Sequence, residues 1–559
     1  MEITGAQALL ESLKKEGVDL IFGYPGGQVL PIYDALYAFK DIKHILVRHE
    51  QGAAHEADGY ARATGKVGVC LATSGPGATN LVTGIANAQM DSIPMVAITG
   101  QVGTSLIGKD SFQEADVTGI TLPITKHNYL VKKAEDIPRI IKEAFYIARS
   151  GRPGVVVVDI PKDLQLKKID FQYPDSINMP SYNPNLKGHP KQISSAAKLI
   201  AEAKKPVIYA GGGVISSDAS VELTEFARRC NIPVTTTLLG KGAFPETDSL
   251  SLGMLGMHGT VYANYAVTDC DLLIAIGARF DDRVTGHIDH FSPHSKVIHI
   301  DVDPAEIGKN VRVDVPIVGD VKQVLKALLG KISAKEKNAE WLSQIEEWKS
   351  KYPLSYKKED GIIKPQEVIE QIYELTKDKR TIIATEVGQH QMWAAMYYKY
   401  TKPRTFITSG GLGTMGFGLP ASIGAQFGDK EAIVFDIAGD GSIQMNIQEL
   451  TTAVNNHLPI KIIVLNNCFL GMVRQWQEII HGRRYSATNL CANPDLVKIA
   501  EAYGAAAMRI TKPEDVKEAL ENALQINDRP VLIDFVVAKE ENVFPFVQPG
   551  QPINQMLVD

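Results

Sequence analysis

Cysteine is scarce and scattered in this 559-residue chain, which holds five. The cysteines are Cys70, Cys230, Cys270, Cys468 and Cys491. The absence of any CxxC pair argues against a zinc site and a disulfide framework, and favours a reducing, cytoplasmic setting. An excess of positive charge is lacking too. The formal net charge is -6, which makes nucleic acid and anionic membrane surfaces poor partners.

Long apolar runs are also missing. No run approaches the roughly 20 residues needed to span a bilayer. The N-terminus mixes charges of both signs and contains no apolar signal core. We therefore expect neither a membrane segment nor a targeting segment. No short repeat period is visible, which argues against a solenoid.

The chain alternates short β-rich runs with helical runs, a pattern typical of parallel sheets covered by helices. Its length exceeds what one hydrophobic core supports. We predict three doubly wound parallel-sheet α/β domains, at residues 1–165, 191–333 and 365–550. Residues 166–190, rich in Pro, Asn and Ser, are the predicted linker. The charged segment 334–364, centred on a short helix, is a second connector.

The segment from Gly439 to Asn467 carries the clearest chemical signal. The acidic turn at Asp440 follows the apolar run 432–437, and Asn467 follows the run 462–465. Apolar residues at helical spacing, beginning at Ile443, predict a single helix between two buried parallel strands. A right-handed crossover would bring both strand ends to the sheet edge at which α/β proteins bind ligands.

Asp440 and Asn467 offer oxygens of the kind that a hard cation such as Mg2+ prefers, and the flanking glycines let backbone N–H groups approach a phosphate. The spacing of the GDG turn and Asn467 resembles the diphosphate-binding motif of thiamine-diphosphate (ThDP) enzymes. An ordinary Asp-Gly turn with a polar loop is the alternative. The presence of both halves, each at a strand end, favours the motif.

Glu50 follows a predicted strand and precedes an Ala/Gly-rich helix. Alone it could be an ordinary first-turn glutamate that stabilises a helix N-terminus. A zinc site with the neighbouring histidines is disfavoured because the HExxH spacing is absent. Three stretches accompany Glu50 in order: GYPGG at 23–27, TSGPGATN at 73–80 and SFQ at 111–113. With them, this region resembles the pyrimidine-binding domain of ThDP enzymes.

Over essentially its full length the chain resembles the acetohydroxyacid synthase (acetolactate synthase) family, catalytic large subunit, biosynthetic type. The resemblance implies ThDP, Mg2+ and FAD as cofactors. It implies that pyruvate is decarboxylated and its two-carbon unit transferred to a second pyruvate or to 2-oxobutyrate, in valine, leucine and isoleucine biosynthesis. It also implies a homodimer or homotetramer, in which Glu50 of one chain faces Asp440 of the other, and a small regulatory subunit.

The resemblance also implies roles for individual residues. Glu50 would hydrogen-bond the pyrimidine ring of ThDP, so that the ring can take the proton from the thiazolium carbon. Gly27, Gln113 and Lys162 would lie near the reacting atoms. The Mg2+ ligands would be Asp440, Asn467 and the backbone carbonyl of Phe469. The implied ThDP contacts are Glu50, Val387, Gly388, Gln389, His390, Gly413, Met415, Gly439, Asp440, Gly441, Ser442, Asn467, Phe469, Gly471 and Met472.

In the middle domain, GGG at 211–213, MLGMHG at 254–259 and GARFDDRVTG at 277–286 resemble the FAD-binding segments of that family. A triple glycine alone could be only a tight turn. The implied FAD contacts are Arg152, Gly211, Gly212, Gly213, Met257, His258, Gly277, Ala278, Arg279, Asp281, Asp301, Val302 and Asp320.

Two residues are implied in recognition of the second substrate. Arg283 would clamp the acceptor carboxylate, since a planar guanidinium can hold a carboxylate through two bonds. The alternative is a structural ion pair with Asp282. Trp476 would favour 2-oxobutyrate over pyruvate, whereas a core position is the commoner fate of a tryptophan.

Several other functions compete with this hypothesis. GLGTMG at 411–416, with Asp436 twenty residues beyond its last glycine, fits a dinucleotide-binding fingerprint, but it leaves Asp440 and Asn467 without a role. Another ThDP enzyme acting on pyruvate, either an FAD-free catabolic acetolactate synthase or a pyruvate oxidase, is the main alternative. Glyoxylate carboligase is similar but lacks a glutamate at the position of Glu50. A non-catalytic paralogue is disfavoured by the intact Glu50, Asp440 and Asn467.

Overall fold

A computed structural model describes residues 2–334 and 338–558 of the chain. Within this range it forms three six-stranded sheets, in each of which all neighbouring strands run parallel. Apolar clusters lie on both faces of each sheet, between the strands and the covering helices. The predicted fold class is confirmed. Among the described residues, no helix is both long and apolar enough to cross a membrane.

The N-terminal sheet has the strand order β3-β2-β4-β5-β7-β6. Its central strands are Val-, Ile- and Ala-rich and fully buried, as expected for a parallel sheet covered on both faces. The strands are β1 Glu2–Thr4, β2 Leu20–Gly23, β3 Lys43–Leu46, β4 Gly68–Ala72, β5 Met95–Gln101, β6 His127–Leu130, β7 Val155–Pro161 and β8 Lys168–Asp170. The helices are α1 Gly5–Lys15, α2 Leu30–Ala38, α3 Glu50–Thr64, α4 Pro76–Asn80, α5 Val82–Met90, α6 Val117–Thr121, α7 Ile137–Arg149 and α8 Lys162–Leu166.

The short strands β1 and β8 form a separate antiparallel pair. The segment predicted as a linker therefore begins with a strand that ties it back to the N-terminus. β6 has no fully buried residue and no continuous apolar run, which explains why the sequence pattern did not indicate it.

The middle sheet has the order β11-β10-β9-β12-β13-β14. The strand order reverses between β9 and β12, which is the switch point at which such sheets bind ligands. The strands are β9 Pro206–Ala210, β10 Val234–Thr236, β11 Ser251–Met254, β12 Leu272–Ile276, β13 Lys296–Asp301 and β14 Val315–Val318. The helices are α9 Pro190–Glu202, α10 Gly212–Ser216, α11 Ser220–Cys230, α12 Val261–Asp269, α13 Asp282–Thr285 and α14 Val321–Leu329.

The C-terminal sheet has the order β16-β15-β17-β18-β20-β19. Its strands are β15 Thr381–Thr385, β16 Phe406–Ile407, β17 Ile433–Gly439, β18 Lys461–Asn466, β19 Ala506–Ile510 and β20 Val531–Val536. The helices are α15 Ala339–Lys351, α16 Pro365–Thr376, α17 Gln389–Tyr397, α18 Gly418–Gly428, α19 Leu450–Asn455, α20 Gly471–Ile479, α21 Leu496–Ala502 and α22 Val516–Gln525.

The prediction of one helix from Ile443 onward is wrong. Two 3-10 turns, Ile443–Met445 and Ile447–Glu449, come first, and the α-helix α19 begins only at Leu450. The apolar spacing was correct, since Ile443 and Leu450 are both buried. The backbone at Asn446 is not helical (φ −135°, ψ 28°), and its side chain donates to the carbonyl of Gly416 (2.6 Å).

The N-terminal and C-terminal domains meet through α3 and α18, which approach so closely that their contact residues are glycines. A side chain at Gly59 would overlap the backbone of Ala421, and one at Gly424 would overlap the backbone of Glu56. The connector helix α15 buries Trp341 against the middle domain. The tail after β20 also returns to the middle domain, where the Val547 N–H donates to the carbonyl of Met257 (2.8 Å).

Candidate functional site: a cofactor-binding edge

The carboxyl ends of three neighbouring strands of the C-terminal sheet bring the predicted diphosphate-binding residues together. β15 leads to the loop 386–388, β17 leads to Asp440, and β18 leads to Asn467. Because β15, β17 and β18 are adjacent and parallel, these loops lie along one edge. Asp440 and Asn467, 27 positions apart in sequence, thus follow paired strands.

Asp440 is almost fully buried, and its Oδ1 has no hydrogen-bond donor within the described residues. Its Oδ2 lies 3.4 Å from the Asn493 amide nitrogen. Burial raises the pKa of the Asp440 carboxyl to about 7. A buried carboxylate with an unpartnered oxygen needs a positive charge beside it, and a cation supplies that charge.

The amide of Asn467 is held in a fixed orientation. Its nitrogen donates to Gln389 Oε1 (3.1 Å), and its oxygen accepts from the Phe469 N–H (3.1 Å). The oxygen retains a second lone pair. A carboxylate, an amide oxygen and a nearby backbone carbonyl form a donor set that suits Mg2+. The residues present therefore fit the predicted metal.

Several residues at the same edge of the sheet are glycines because neighbouring side chains leave no space for a Cβ. A Cβ at Gly388 or Gly439 would lie 2.7 Å from the ring of His390, and a Cβ at Gly441 would lie 2.7 Å from Leu470. Burial lowers the pKa of His390 to about 3, so its ring is neutral. His390 Nε2 has no partner within the described chain. An unpartnered ring nitrogen that can donate, beside glycines that allow close approach of the backbone, fits a phosphate group.

Met415 lies on the loop that precedes α18, beside the GDG turn. Its methyl carbon is 4.0 Å from the position of a Cβ on Gly441. The next residue, Gly416, donates its N–H to Oε2 of the buried Glu386 (2.6 Å). The loop also carries Gly413 with a φ of 72°, a backbone conformation that favours glycine.

Glu50 is the first residue of α3, at the carboxyl edge of the N-terminal sheet. Its Oε2 accepts from the Asn80 amide (2.9 Å), and it is half-buried. Gly27 and Lys162 lie at the same edge, after β2 and β7. Gln113, with a φ of 61°, approaches the loop after β4 through Gly75. The sheet topology thus gathers the predicted catalytic residues at one edge.

Within the described residues of one chain, no hydrogen bond links Glu50 to Asp440 or Asn467. The hydrogen-bond partner of Glu50 is Asn80, and that of the Asp440 carboxylate is Asn493. The two halves of the predicted ThDP site thus belong to different hydrogen-bond networks among the described residues.

The predicted flavin glycines lie at the switch point of the middle sheet. The Gly213 N–H donates to the carbonyl of Gly277 (2.9 Å), and a Cβ at Gly211 would lie 2.6 Å from the Cα of Ala278. The close packing of these two loops by itself accounts for Gly211, Gly213 and Gly277. A Cβ at Gly212 would make ordinary van der Waals contact with Leu239, at 3.4 Å from its Cβ and 3.5 Å from its carbonyl oxygen. FAD contact at these residues stays a prediction.

Arg152 connects the N-terminal domain to the middle domain. Its guanidinium contacts Glu306 Oε1 (2.7 Å) and Asp303 Oδ2 (3.2 Å), and it donates to Ser92 Oγ (2.8 Å). The guanidinium N–H groups of Arg152 that make these contacts are the same groups that would bind a flavin phosphate.

Other predicted flavin residues serve as caps or lie at strand ends. Asp320 caps α14 and Asp281 caps α13 through backbone N–H groups. Asp301 ends β13, and burial raises its pKa to about 6. Val302 follows it directly. Arg279 reaches toward Gly411 of the C-terminal domain.

Arg283 and Trp476 meet at the boundary of the middle and C-terminal domains, where the Arg283 guanidinium lies 5.6 Å from the Trp476 ring centre. The ion pair of Arg283 with Asp282 is loose (3.4 Å) and exposed. A cavity of about 170 Å³, lined by Met257 and Arg283 among others, opens beside them. Phe546, from the C-terminal tail, stacks on His258 at 5.3 Å. The sequence pattern contained no signal for this tail residue.

Comparison with known families agrees with this arrangement. Three domain models match the chain: the thiamine pyrophosphate enzyme N-terminal TPP binding domain over residues 3–120, the central domain over 193–328, and the C-terminal TPP binding domain over 386–535. Thiamine pyrophosphate is ThDP. Together the models cover well over half of the chain, so the cofactor class is established.

Similar proteins span nearly all of the chain. An acetolactate synthase large subunit of Haemophilus influenzae is 50% identical over 100% of this chain and 98% of its own length. One of Corynebacterium glutamicum is 53% identical over 98% of this chain and 89% of its own length. A probable acetolactate synthase large subunit of Methanocaldococcus jannaschii is 54% identical over 98% and 94%. The chain therefore belongs to the acetolactate synthase family of ThDP enzymes, among its large subunits.

Proposed function

We propose that this protein is a biosynthetic acetolactate synthase. It decarboxylates pyruvate and transfers the two-carbon unit to a second pyruvate, giving 2-acetolactate, or to 2-oxobutyrate, giving 2-aceto-2-hydroxybutyrate. The products feed valine, leucine and isoleucine biosynthesis. Relatives named acetolactate synthase large subunit, similar over nearly the whole chain, support this activity.

One structural observation carries the proposal. Helix α20 begins at Gly471, beside the Asn467 amide, and carries Trp476 about 8 Å farther along its axis. Trp476 in turn contacts Arg283 of the middle domain. Arg283, which is able to hold a carboxylate, thus lies about the length of one short helix, α20, from the predicted metal-binding edge. This is the arrangement that a second 2-oxo acid requires.

The residues of the chain have distinct tasks in this reaction. ThDP would supply the chemistry of its thiazolium carbon, an electron sink for decarboxylation. Glu50 would hydrogen-bond the pyrimidine ring and exchange a proton with it. Asp440, Asn467 and the Phe469 carbonyl would hold Mg2+, whose charge would offset that of the diphosphate. Arg283 binds the acceptor carboxylate through two parallel hydrogen bonds, and Trp476 forms the apolar wall for its side chain.

FAD is the third proposed cofactor, held by the switch-point loops of the middle sheet and by the aspartates at its strand ends. His258 Nδ1, which is buried and lacks a partner within the described residues, supports this assignment. Arg152 would exchange its present carboxylate partners for the flavin phosphates.

We further propose that the functional unit is at least a homodimer, either a dimer or a tetramer, in the cytoplasm. Glu50 and Asp440 lie in different hydrogen-bond networks of the described chain, which is compatible with a site shared between two copies. A small regulatory subunit is the expected partner, because similar proteins carry the name large subunit. The net charge of -6 gives no support for nucleic acid or anionic membrane binding.

The test is a product assay with the dialysed protein. Incubation with pyruvate, ThDP, Mg2+ and FAD should give 2-acetolactate, and leaving out ThDP or Mg2+ should abolish it. Activity that persists in full without FAD, in a protein without flavin absorbance, would instead identify a catabolic acetolactate synthase. Oxygen consumption together with acetyl phosphate or acetate as product would identify a pyruvate oxidase.

A further inference from the structure

The helix that begins at Glu50 is held at its start by a carboxylate from the other end of the chain. The backbone N–H of Arg48 donates to both oxygens of Glu449 (3.0 and 3.2 Å), and the N–H of His49 donates to Glu449 Oε1 (3.0 Å). These N–H groups immediately precede α3. A negative charge at the start of a helix is also favoured by the helix dipole.

Glu449 is itself tightly fixed. It is fully buried, and its Oε2 accepts from the Thr452 hydroxyl (2.6 Å). Gly52, in the first turn of α3, leaves room for it: a Cβ there would lie 2.5 Å from Glu449 Oε1. Each carboxylate oxygen of Glu449 therefore accepts a hydrogen bond. The first turn of α3 has space for the Glu449 side chain because residue 52 is a glycine.

Glu56, one and a half turns farther along α3, faces the same carboxylate. Burial raises the pKa of Glu56 well above its usual range, and the nearby charge of Glu449 raises it further. A neutral Glu56 avoids the repulsion that two buried carboxylates would exert on each other. Glu449 thus attaches the start of the helix that carries Glu50 to the C-terminal domain, through the N–H groups of Arg48 and His49.

We infer that Glu449 is a positioning residue for Glu50: its buried carboxylate fixes the first turn of α3 against the C-terminal domain and so sets where the Glu50 carboxyl meets the pyrimidine ring. This inference rests on the proposed function. Glu449 acts on Glu50 through the backbone at residues 48 and 49, whose N–H groups it accepts from. Proton transfer depends on hydrogen-bond geometry, so a shift of about 1 Å at Glu50 slows it strongly.

The experiment compares Glu449→Gln, Glu449→Asp and Gly52→Ala with the unchanged protein. Glu449→Gln keeps the size but replaces one acceptor oxygen with a donor, Glu449→Asp withdraws the carboxylate by one methylene, and Gly52→Ala pushes a methyl group into it. Thr4→Ala is the matched control, because it removes another helix cap of the same domain, that of α1. Two quantities are measured: amide hydrogen exchange at residues 48–52 without cofactor, and exchange of the thiazolium proton of bound ThDP.

We expect faster amide exchange at residues 48–52 in Glu449→Gln, and thiazolium proton exchange slower by about tenfold or more. The dissociation constant of ThDP should stay within about threefold, since the diphosphate edge is unchanged. Glu449→Asp and Gly52→Ala should shift both exchange rates in the same direction, and Thr4→Ala should shift neither. If Glu449→Gln does not fold, the other two variants decide.

Thiazolium exchange within about twofold of the unchanged protein in folded Glu449 variants would overturn the inference. Equal slowing by Thr4→Ala would also overturn it, because the effect would then be general loss of stability. Acetolactate formation by the unchanged protein is measured in parallel. Its absence would count against the proposed function, whereas the amide exchange at residues 48–52 would still test the contact made by Glu449.

Discussion

The guanidinium of Arg283 lies 5.6 Å from the ring centre of Trp476, so that a charged side chain of the middle domain faces an aromatic side chain of the C-terminal domain. The contact does not consume the hydrogen-bonding capacity of Arg283, since cation–π attraction uses the face of the guanidinium. The pair therefore places a guanidinium group and an apolar indole surface next to each other. In the proposed function, Arg283 binds the carboxylate that all 2-oxo acids share, and Trp476 distinguishes them by their side chains.

Trp476→Leu should lower the preference for 2-oxobutyrate over pyruvate while acetolactate formation continues. One extra methylene in an apolar pocket is worth about 1–3 kcal/mol, so the competition ratio should fall by about tenfold or more. The measurement is the ratio of the two products at equal substrate concentrations. Trp348→Leu, on the connector helix α15, is the control. An unchanged ratio in Trp476→Leu would assign Trp476 to packing alone.

Glu50→Gln should bind ThDP and exchange its thiazolium proton at least about 100-fold more slowly, because an amide cannot exchange a proton with the pyrimidine ring nitrogen. Proton exchange followed by NMR after acid quenching gives the rate, and calorimetry gives the affinity. The exposed Glu135→Gln serves as the control. Near-normal exchange in Glu50→Gln would remove Glu50 from the activation step.

Gly471→Ala should weaken Mg2+-dependent ThDP binding by about tenfold or more. The added Cβ would lie 2.7 Å from Asn467 Nδ2 and would also overlap Gln389, which orients that amide. Gly330→Ala is the control, because its Cβ would have no neighbour closer than 3.6 Å. Titration of the apoprotein with ThDP at fixed Mg2+ measures the loss. Equal affinities in the two variants would contradict the placement of Asn467 at the metal.

Asp436→Asn should stabilise the protein at alkaline pH. Asp436 is fully buried without a donor in the described chain, and burial, followed by repulsion from Glu386, raises its pKa well above 3.8. Above the unfolded pKa the folded state binds the additional proton. Stability is therefore lost as pH rises toward the folded pKa, by up to about 1.4 kcal/mol per pH unit. An asparagine does not titrate and can donate to Glu386.

Denaturant unfolding at pH 5 and pH 8 checks this expectation. The difference in unfolding free energy between Asp436→Asn and the unchanged protein should move in favour of the variant as the pH rises. A difference that is independent of pH would show that Asp436 does not take up a proton on folding.

The sequence was sufficient to predict the three parallel sheets and the strand-end placement of Asp440 and Asn467. These features follow from apolar runs and from turn residues, which are local. The strands β10 and β11, of three and four residues, were too short to stand out from the surrounding pattern. Contacts between segments far apart in the sequence leave no local pattern. Glu449 accepts a hydrogen bond from Arg48, 401 positions away, and Phe546 of the C-terminal tail stacks on His258.

The most direct test of the central claim is product analysis from pyruvate and 2-oxobutyrate together, with ThDP, Mg2+ and FAD, in the absence of oxygen. We predict 2-acetolactate and 2-aceto-2-hydroxybutyrate as the products, with the second in excess at equal substrate concentrations. Release of acetaldehyde or acetate without either acetohydroxy acid would contradict the account, because the site would then decarboxylate pyruvate without transferring the two-carbon unit.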